Sequence, residues 1–146
     1  CIDDCSYRVQ EARRAARWLA AHGGPRCQLL DPLQVSSLDH DWILDHVRQT
    51  GRLVVAATGW SPYGLSAEIC RGIAERDPQV LKRPVISLGM AHAPCPTSHV
   101  LEDAYYPHMG DIVDAAYTLC VGPDHDHEVP TAEWARQQRK TFRGPF

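Results

Sequence analysis

Apolar residues recur at helical spacing in four segments of the chain. This spacing predicts helices over residues 9–22, 38–51, 66–76 and 111–120. Asp39 stands where an N-cap carboxylate accepts hydrogen bonds from first-turn amides, and Gly51 stands where a left-handed residue ends a helix. The pattern therefore places the second helix between two defined caps.

Three short, continuous apolar runs lie between these helices, at residues 27–30, 52–58 and 84–88. Short runs without polar alternation are typical of strands that are buried on both faces of a parallel sheet. The run at 52–58 is the clearest, so we expect it inside the sheet and not at its edge. The alternation of strands and helices predicts a three-layer α/β/α sandwich with a mostly parallel, mixed sheet and right-handed crossovers.

The composition narrows the class of protein. The 146 residues fit one domain, and 44% apolar with 23% charged residues is typical of a globular protein. No basic cluster favours nucleic acid, and no apolar run is long enough to span a membrane. The six cysteines are widely spread, so we expect reduced thiols in a cytoplasmic protein; the Cys1 and Cys5 pair lacks a second pair at zinc spacing.

The charges are distributed unevenly. No Lys or Arg occurs between Arg83 and Arg136, which predicts a negative surface patch that could steer a basic partner. A merely solvated acidic face is the alternative. The carboxylates expected to contribute are Glu102, Asp103, Asp111 and Asp114.

Three segments carry side chains that could bind a ligand or take part in catalysis. The turn at 59–64 resembles an anion-binding turn but matches neither common phosphate-binding motif, so a packing role is favoured. The His- and Asp-rich segment 124–128 is interpreted as solvated tail and not as a metal site. His92, Cys95 and His99 lie in a Pro-rich loop without an orienting acid, so we predict a presented surface and no catalytic, cofactor or metal residue.

Five segments, taken in order, carry a family resemblance. They are EARRAARWLAA at 11–21, LDHDWILDHVRQTG at 38–51, RLVVAATGWSPYGLSAEI at 52–69, PCPTSHVLEDAYYP at 94–107 and DIVDAA at 111–116. This series resembles the transketolase C-terminal domain family. It is most similar to the beta subunits of thiamine-diphosphate-dependent 2-oxo acid dehydrogenases of the pyruvate, branched-chain and acetoin types.

The resemblance implies an assembly role. In such enzymes thiamine diphosphate and magnesium lie outside this domain, between the upstream pyrimidine-binding domain and the alpha subunit. The resemblance implies those two partners, in some bacterial complexes also the acyltransferase core, and a homo-oligomer or a heterotetramer. The chain would then be part of an oxidative decarboxylase and inactive in isolation. The candidate interface residues are Trp60, Tyr63, His92, Cys95, Glu102 and Asp103.

The chain departs from the family pattern at its start, where Asp3 and Asp4 replace residues of an apolar strand. We therefore expect a transketolase C-terminal-like domain over residues 1–122, with its first strand truncated or replaced, and a polar tail over 123–146. Two alternatives remain open. One is a stand-alone protein-binding or regulatory domain that kept the fold without the chemistry. The weaker one is a small nucleotide-binding protein that uses the turn at Gly59.

Overall fold

Four parallel strands form the sheet in the part of the chain that the structure describes. The structure is a computed structural model that describes residues 2–4, 8–98 and 105–131. The spatial order of the strands is β2-β1-β3-β4. The strands are β1 (Ile2–Asp4), β2 (Leu29–Leu30), β3 (Val54–Trp60) and β4 (Ile86–Met90).

Helices cover both faces of the sheet. One face carries the apolar cluster shared by the first and last helices, and the other carries a cluster shared by the middle two. The helices are α1 (Arg8–Ala21), α2 (His40–Thr50), α3 (Leu65–Arg76) and α4 (Met109–Cys120), with a 3-10 turn at Val35–Ser37. This arrangement confirms the predicted three-layer α/β/α sandwich. No helix among the described residues combines the length and the apolar character needed to cross a membrane.

The connections follow from the strand order. The step from β1 to β2 and the step from β2 to β3 run in opposite directions across the sheet. Their helices, α1 and α2, lie on opposite faces, as two crossovers of the same hand require.

Strand β3 lies inside the sheet, as predicted. Val54 and Ala56 pack under α1 and α4, while Leu53 and Val55 pack under α2 and α3, and all four are buried. The strand starts two residues later than the apolar run suggests and continues to Trp60, because a register irregularity between Ala56 and Trp60 lets it keep pairing with β4. Strands β2 and β4 likewise begin two residues after the predicted starts.

The short strand β1 lies between β2 and β3, inside the sheet. Its two acidic residues, Asp3 and Asp4, had made a strand at this position unexpected. Ile2 pairs with Leu29 on one side and Val54 on the other, and Asp4 pairs with Ala56. The sheet has therefore kept this member, in a length of three residues. Backbone pairing explains this, because the hydrogen-bond ladder does not depend on the side chains.

The predicted caps of α2 are confirmed. The Asp39 carboxylate accepts a hydrogen bond from the Trp42 amide at 2.9 Å. Gly51 adopts φ 66°, in the left-handed region, and its amide donates to the Val47 carbonyl at 2.7 Å. Ile43, Leu44 and Val47 form the buried face of α2, and Trp42 on the same helix is exposed.

The segment after α4 packs against that helix through two histidines, so the interpretation of 124–128 as solvated tail is wrong for His125, while the other four residues are exposed. The His125 side chain is only 4% exposed, and its Nε2 lies 3.2 Å from an Asp114 carboxylate oxygen. The His127 ring stacks on Tyr117 with ring centroids 4.2 Å apart. Spacing along the chain could not reveal this, because both contacts depend on how the chain folds back.

We predict that Val55→Asp unfolds the protein, because it places an unpaired charge among side chains that exclude water on both faces of the sheet. The expected loss is more than about 4 kcal/mol in the free energy of unfolding, measured by urea denaturation. Thr58→Asp is the matched control on the same strand, where the side chain is exposed. A loss as small as that of the control would contradict the burial of β3.

A charge cluster joins α2 to α3. Arg71 donates from Nε and Nη2 to the Glu68 carboxylate at 2.9 and 2.6 Å, and His40 Nε2 lies 3.1 Å from the same carboxylate. Hydrogen bonds from Arg71, and then from His40, hold the pKa of Glu68 at about 2, below its usual 4.5. At pH values above the ordinary pKa of 4.5, the ionised Glu68 carboxylate therefore stabilises the fold. This contribution is lost as the pH falls from about 5 towards 2.

We predict that Arg71→Ala raises the pKa of Glu68 towards 4.5, because the largest cause of its depression is removed. The measurement is an NMR titration of the Glu68 side-chain carboxyl carbon. Arg48→Ala is the control, since this exposed arginine pairs with Asp45 and Asp77 instead. An unchanged pKa in the Arg71 variant would show that the cluster does not form in solution.

Candidate functional site

Strands β3 and β4 end side by side at the carboxyl edge of the sheet. Trp60 pairs with Met90 at the last register position, so the turn at 61–64 and the loop at 91–98 leave the sheet next to each other. In parallel α/β sheets this edge is where ligands and partners most often bind. The edge brings together residues that lie about thirty positions apart in the chain.

Two aromatic rings meet at this edge. The rings of Trp60 and His92 lie with their centroids 6.0 Å apart and tilted by 39°. Together with Ala93 and Pro94 they line an open apolar cavity of about 330 Å³, which we call the aromatic patch. Trp60 is 51% exposed, and Tyr63, in the adjoining turn, is 65% exposed. Large aromatic side chains with this exposure are characteristic of protein interfaces.

Cys95 follows the aromatic patch in the same loop and is exposed. Its thiol lies 3.7 Å from the Pro96 carbonyl and 4.0 Å from the Tyr106 hydroxyl. These neighbours do not activate a thiol as an imidazole does, so the contacts fit a surface position. His99 lies outside the described residues.

A second cleft, of about 330 Å³, is lined by residues of β4 and by the first turn of α4. The Ser61 hydroxyl donates to the Ser87 carbonyl at 3.5 Å, and the Asp111 carboxylate accepts from the His108 amide. Its described lining residues include one carboxylate and no basic side chain. The lining residues are Ser61, Ser87, Leu88, Gly89, Ala91, Tyr105, Tyr106, Pro107 and Asp111.

This donor set does not fit a metal-bound diphosphate, which needs several oxygen ligands for the metal and donors or cations for the phosphates. Among the described residues, no group of three or more His, Cys, Asp or Glu side chains is placed to hold a metal ion.

The turn expected at 59–64, for which anion binding was the weaker alternative, begins later in the structure. Gly59 lies within β3, and the turn itself spans residues 61–64, before Gly64 caps α3 with φ 97°. A side chain at Gly89 of β4 would lie 2.7 Å from the Gly59 carbonyl, so the close approach of the two strands requires the glycine at position 89, whereas a side chain at Gly59 would meet no atom within 4 Å.

A buried carboxylate near the same edge was missed by sequence reasoning. Glu11 of α1 is 1% exposed; it accepts from Arg14 Nη1 at 2.6 Å and from the Met109 amide at 3.2 Å. It thereby ties α1 to the first residue of α4. The signal lies in its position beside Ala12 on the apolar face, where a charged residue must find partners.

The predicted acidic contributors fall into two groups. Glu102 and Asp103 lie outside the described residues. Asp111 and Asp114 are exposed; Asp111 accepts from the His108 amide at the start of α4, and Asp114 pairs with His125 of the segment after α4. A negative patch at this surface stays a prediction.

Comparisons with known proteins agree with this fold. Residues 5–112 match the family model of the transketolase C-terminal domain. A split-gene transketolase, solved as an inactive beta4 tetramer, superposes with a TM-score of 0.72 at 21% identity, covering 84% of this chain and 39% of that chain. That likeness shows the fold.

Curated relatives extend the match. The chain is 34% identical over 115 residues to the mitochondrial beta subunit of the pyruvate dehydrogenase E1 component of Pisum sativum, covering 79% of this chain and 32% of the relative. It is 32% identical over 117 residues to the beta subunit of acetoin:2,6-dichlorophenolindophenol oxidoreductase of Cupriavidus necator, covering 80% of this chain and 34% of the relative. The chain thus spans about a third of the length of these relatives. Since the family model matches most of its length, the chain belongs to the transketolase C-terminal domain family.

Proposed function

We propose that this chain is the C-terminal assembly domain of the beta subunit of a thiamine-diphosphate-dependent 2-oxo acid dehydrogenase. The aromatic patch is the single observation that carries the assembly role. Trp60 and His92 expose apolar area at the edge of a sheet that is otherwise covered by helices. The pyruvate dehydrogenase and acetoin oxidoreductase beta subunits among the relatives support the choice of enzyme class.

In this proposal the domain contributes binding area and no reacting group. Among its described lining residues, the cleft beside the first turn of α4 offers one carboxylate, Asp111, and that carboxylate already accepts a backbone hydrogen bond. Oxidative decarboxylation would require the upstream pyrimidine-binding domain, the alpha subunit, thiamine diphosphate and magnesium. The acyltransferase core is a further partner in the bacterial form of the proposal, and a heterotetramer or a homo-oligomer is its expected assembly.

The cytoplasmic location expected from the thiols belongs to the same proposal. The four described cysteines are all free: Cys27, Cys70, Cys95 and Cys120. Free thiols fit a reducing compartment. The pea relative is named as mitochondrial. Localising this protein in its own cells distinguishes the cytoplasm from the mitochondrial matrix.

We predict that removing the aromatic patch weakens association with the alpha subunit of the same organism. Trp60→Ala with His92→Ala should raise the dissociation constant at least about 30-fold, because exposed aromatic residues often contribute about 2 kcal/mol or more at an interface. Association is measured by light scattering and calorimetry on the chain joined to its pyrimidine-binding domain.

The chain provides a matched control for this double substitution. The exposed Trp42 and the half-buried His46 form a second ring pair, with ring centroids 4.9 Å apart, on α2. Trp42→Ala with His46→Ala should leave the affinity within about twofold, as is usual for a residue pair outside the interface. Equal effects of the two double variants would remove the aromatic patch from the proposal. If neither double variant loses binding to the alpha subunit, the stand-alone domain is favoured.

We further predict that the isolated chain does not bind thiamine diphosphate tightly with magnesium, because the described residues of its carboxyl edge include no set of metal ligands. Calorimetric titration with cofactor and magnesium is the measurement. The assembled alpha and beta subunits serve as the positive control. Saturable, magnesium-dependent binding by the isolated chain would overturn the assignment of the cofactor to other domains.

A further inference from the structure

A cleft of about 280 Å³ opens at the opposite, amino edge of the sheet. It lies between the ends of α2 and α4 and the loops that lead into β2 and β4. We call it the amino-edge cleft. Its lining residues are Pro25, Arg26, Cys27, Gln49, Thr50, Arg52, Val54, Lys82, Ala116, Leu119 and Cys120.

The charge of the amino-edge cleft differs from that of the whole chain. Arg26, Arg52 and Lys82 line it, and none of its described lining residues is acidic. The full sequence carries a formal net charge of −3, so three cations around one concavity are a local reversal of sign. Charges of one sign around a cleft focus the potential there and raise the local concentration of counter-ions.

One of the three cations also serves the fold. Arg52 Nε donates to the Leu119 carbonyl at 3.0 Å, which satisfies the last turn of α4. Lys82 is held differently: its amide donates to the Gly51 carbonyl at 2.8 Å, and its aliphatic stem lies over Gly51, whose lack of a side chain makes the room. Lys82 and Arg26 belong to loops, and both are exposed.

The floor of the amino-edge cleft is apolar. Val54, Ala116 and Leu119 are each 5% exposed or less, and they belong to the buried cluster under α1 and α4. Cys27 packs against the same cluster, and burial raises the pKa of its thiol. A cationic rim above an apolar floor suits a ligand with an anionic group and an apolar body.

We propose that the amino-edge cleft binds a small organic phosphate, with the phosphate between Arg26 and Lys82 and the apolar body over Val54 and Leu119. The volume lies at the small end of ligand pockets, about 300 Å³, so the ligand is of small-metabolite size. The site lies at the other end of the strands from the aromatic patch and does not rest on the proposed function.

Phenyl phosphate is the probe, and calorimetry at constant ionic strength is the measurement. Inorganic phosphate tests the charge alone, and phenol tests the ring alone. We expect phenyl phosphate to bind more tightly than inorganic phosphate, phenol to give no measurable binding, and magnesium to change neither result. Equal affinity for inorganic and phenyl phosphate would overturn the organic part of the proposal. No binding of either would overturn all of it.

Variants locate the site. Arg26→Ala with Lys82→Ala should weaken phenyl phosphate binding at least about tenfold, since each charge-assisted contact is lost. Arg83→Ala is the matched control: it removes a neighbouring exposed cation that does not line the amino-edge cleft. Arg52 is kept, because its loss would also release the end of α4. If Arg83→Ala weakens binding equally, the binding is general charge attraction and the amino-edge cleft is not the site.

Thiol labelling of the unaltered chain gives a second readout that needs no substitution. Cys120 and Cys95 are both exposed, but only Cys120 lines the amino-edge cleft. Phenyl phosphate should slow the alkylation of Cys120 by N-ethylmaleimide several-fold, as read by peptide mass spectrometry, and leave Cys95 unchanged. Equal rates at Cys120 with and without phenyl phosphate would contradict binding in the amino-edge cleft.

Discussion

Burial of β3 on both faces is the constraint from which the rest of the structure follows. Leu53 and Val55 point to one layer of helices, and Val54 and Ala56 point to the other. A strand of this kind is stable only if helices cover both sides. Either uncovered face would expose apolar area to water, at a free-energy cost of about 25 cal/mol per Å². Helices α1 and α4 supply one cover, and α2 and α3 supply the other. The connections from β1 to β2 and from β2 to β3 run in opposite directions across the sheet, and this topology places α1 and α2 on opposite faces.

Local chemistry could be predicted from the sequence, and long-range pairing could not. The caps of α2 depend on Asp39, Gly51 and their immediate neighbours, so the pattern identified both. The end of β3 depends on a partner about thirty residues away: Gly59 and Trp60 look like a turn, yet they continue the strand because β4 pairs with it. The burial of Glu11 has the same origin, since its partner Met109 begins a helix that is distant in sequence, and only its place on the apolar face of α1 hints at burial. His125 is buried because the chain folds back onto the helix that precedes it, which spacing along the chain does not show.

The candidate site shows the same division. Exposure of Trp60 and His92 could be anticipated from a turn and a Pro-rich loop, but their meeting is a product of the parallel register of β3 and β4. The register sets two aromatic side chains from separate loops on one surface. This is how a rigid sheet presents binding residues at a low cost in conformational entropy. The amino-edge cleft was not anticipated at all, because its cations come from three separate connections.

The helix dipoles explain part of the charge separation between the two edges. Helices α1 to α4 start at the carboxyl edge, and each of these four has an acid in its first turn: Glu11, Asp41, Glu68 and Asp111. At the opposite edge, α2 and α3 end on Arg48 and Arg76, and Arg52 reaches the last turn of α4. Carboxylates favour the positive end of a helix and cations the negative end, so much of this pattern stabilises the fold itself. Arg26 and Lys82 lie in loops and close no helix. Their charge is therefore the part of the cationic edge that the dipoles leave unexplained, and it is the part that faces the amino-edge cleft.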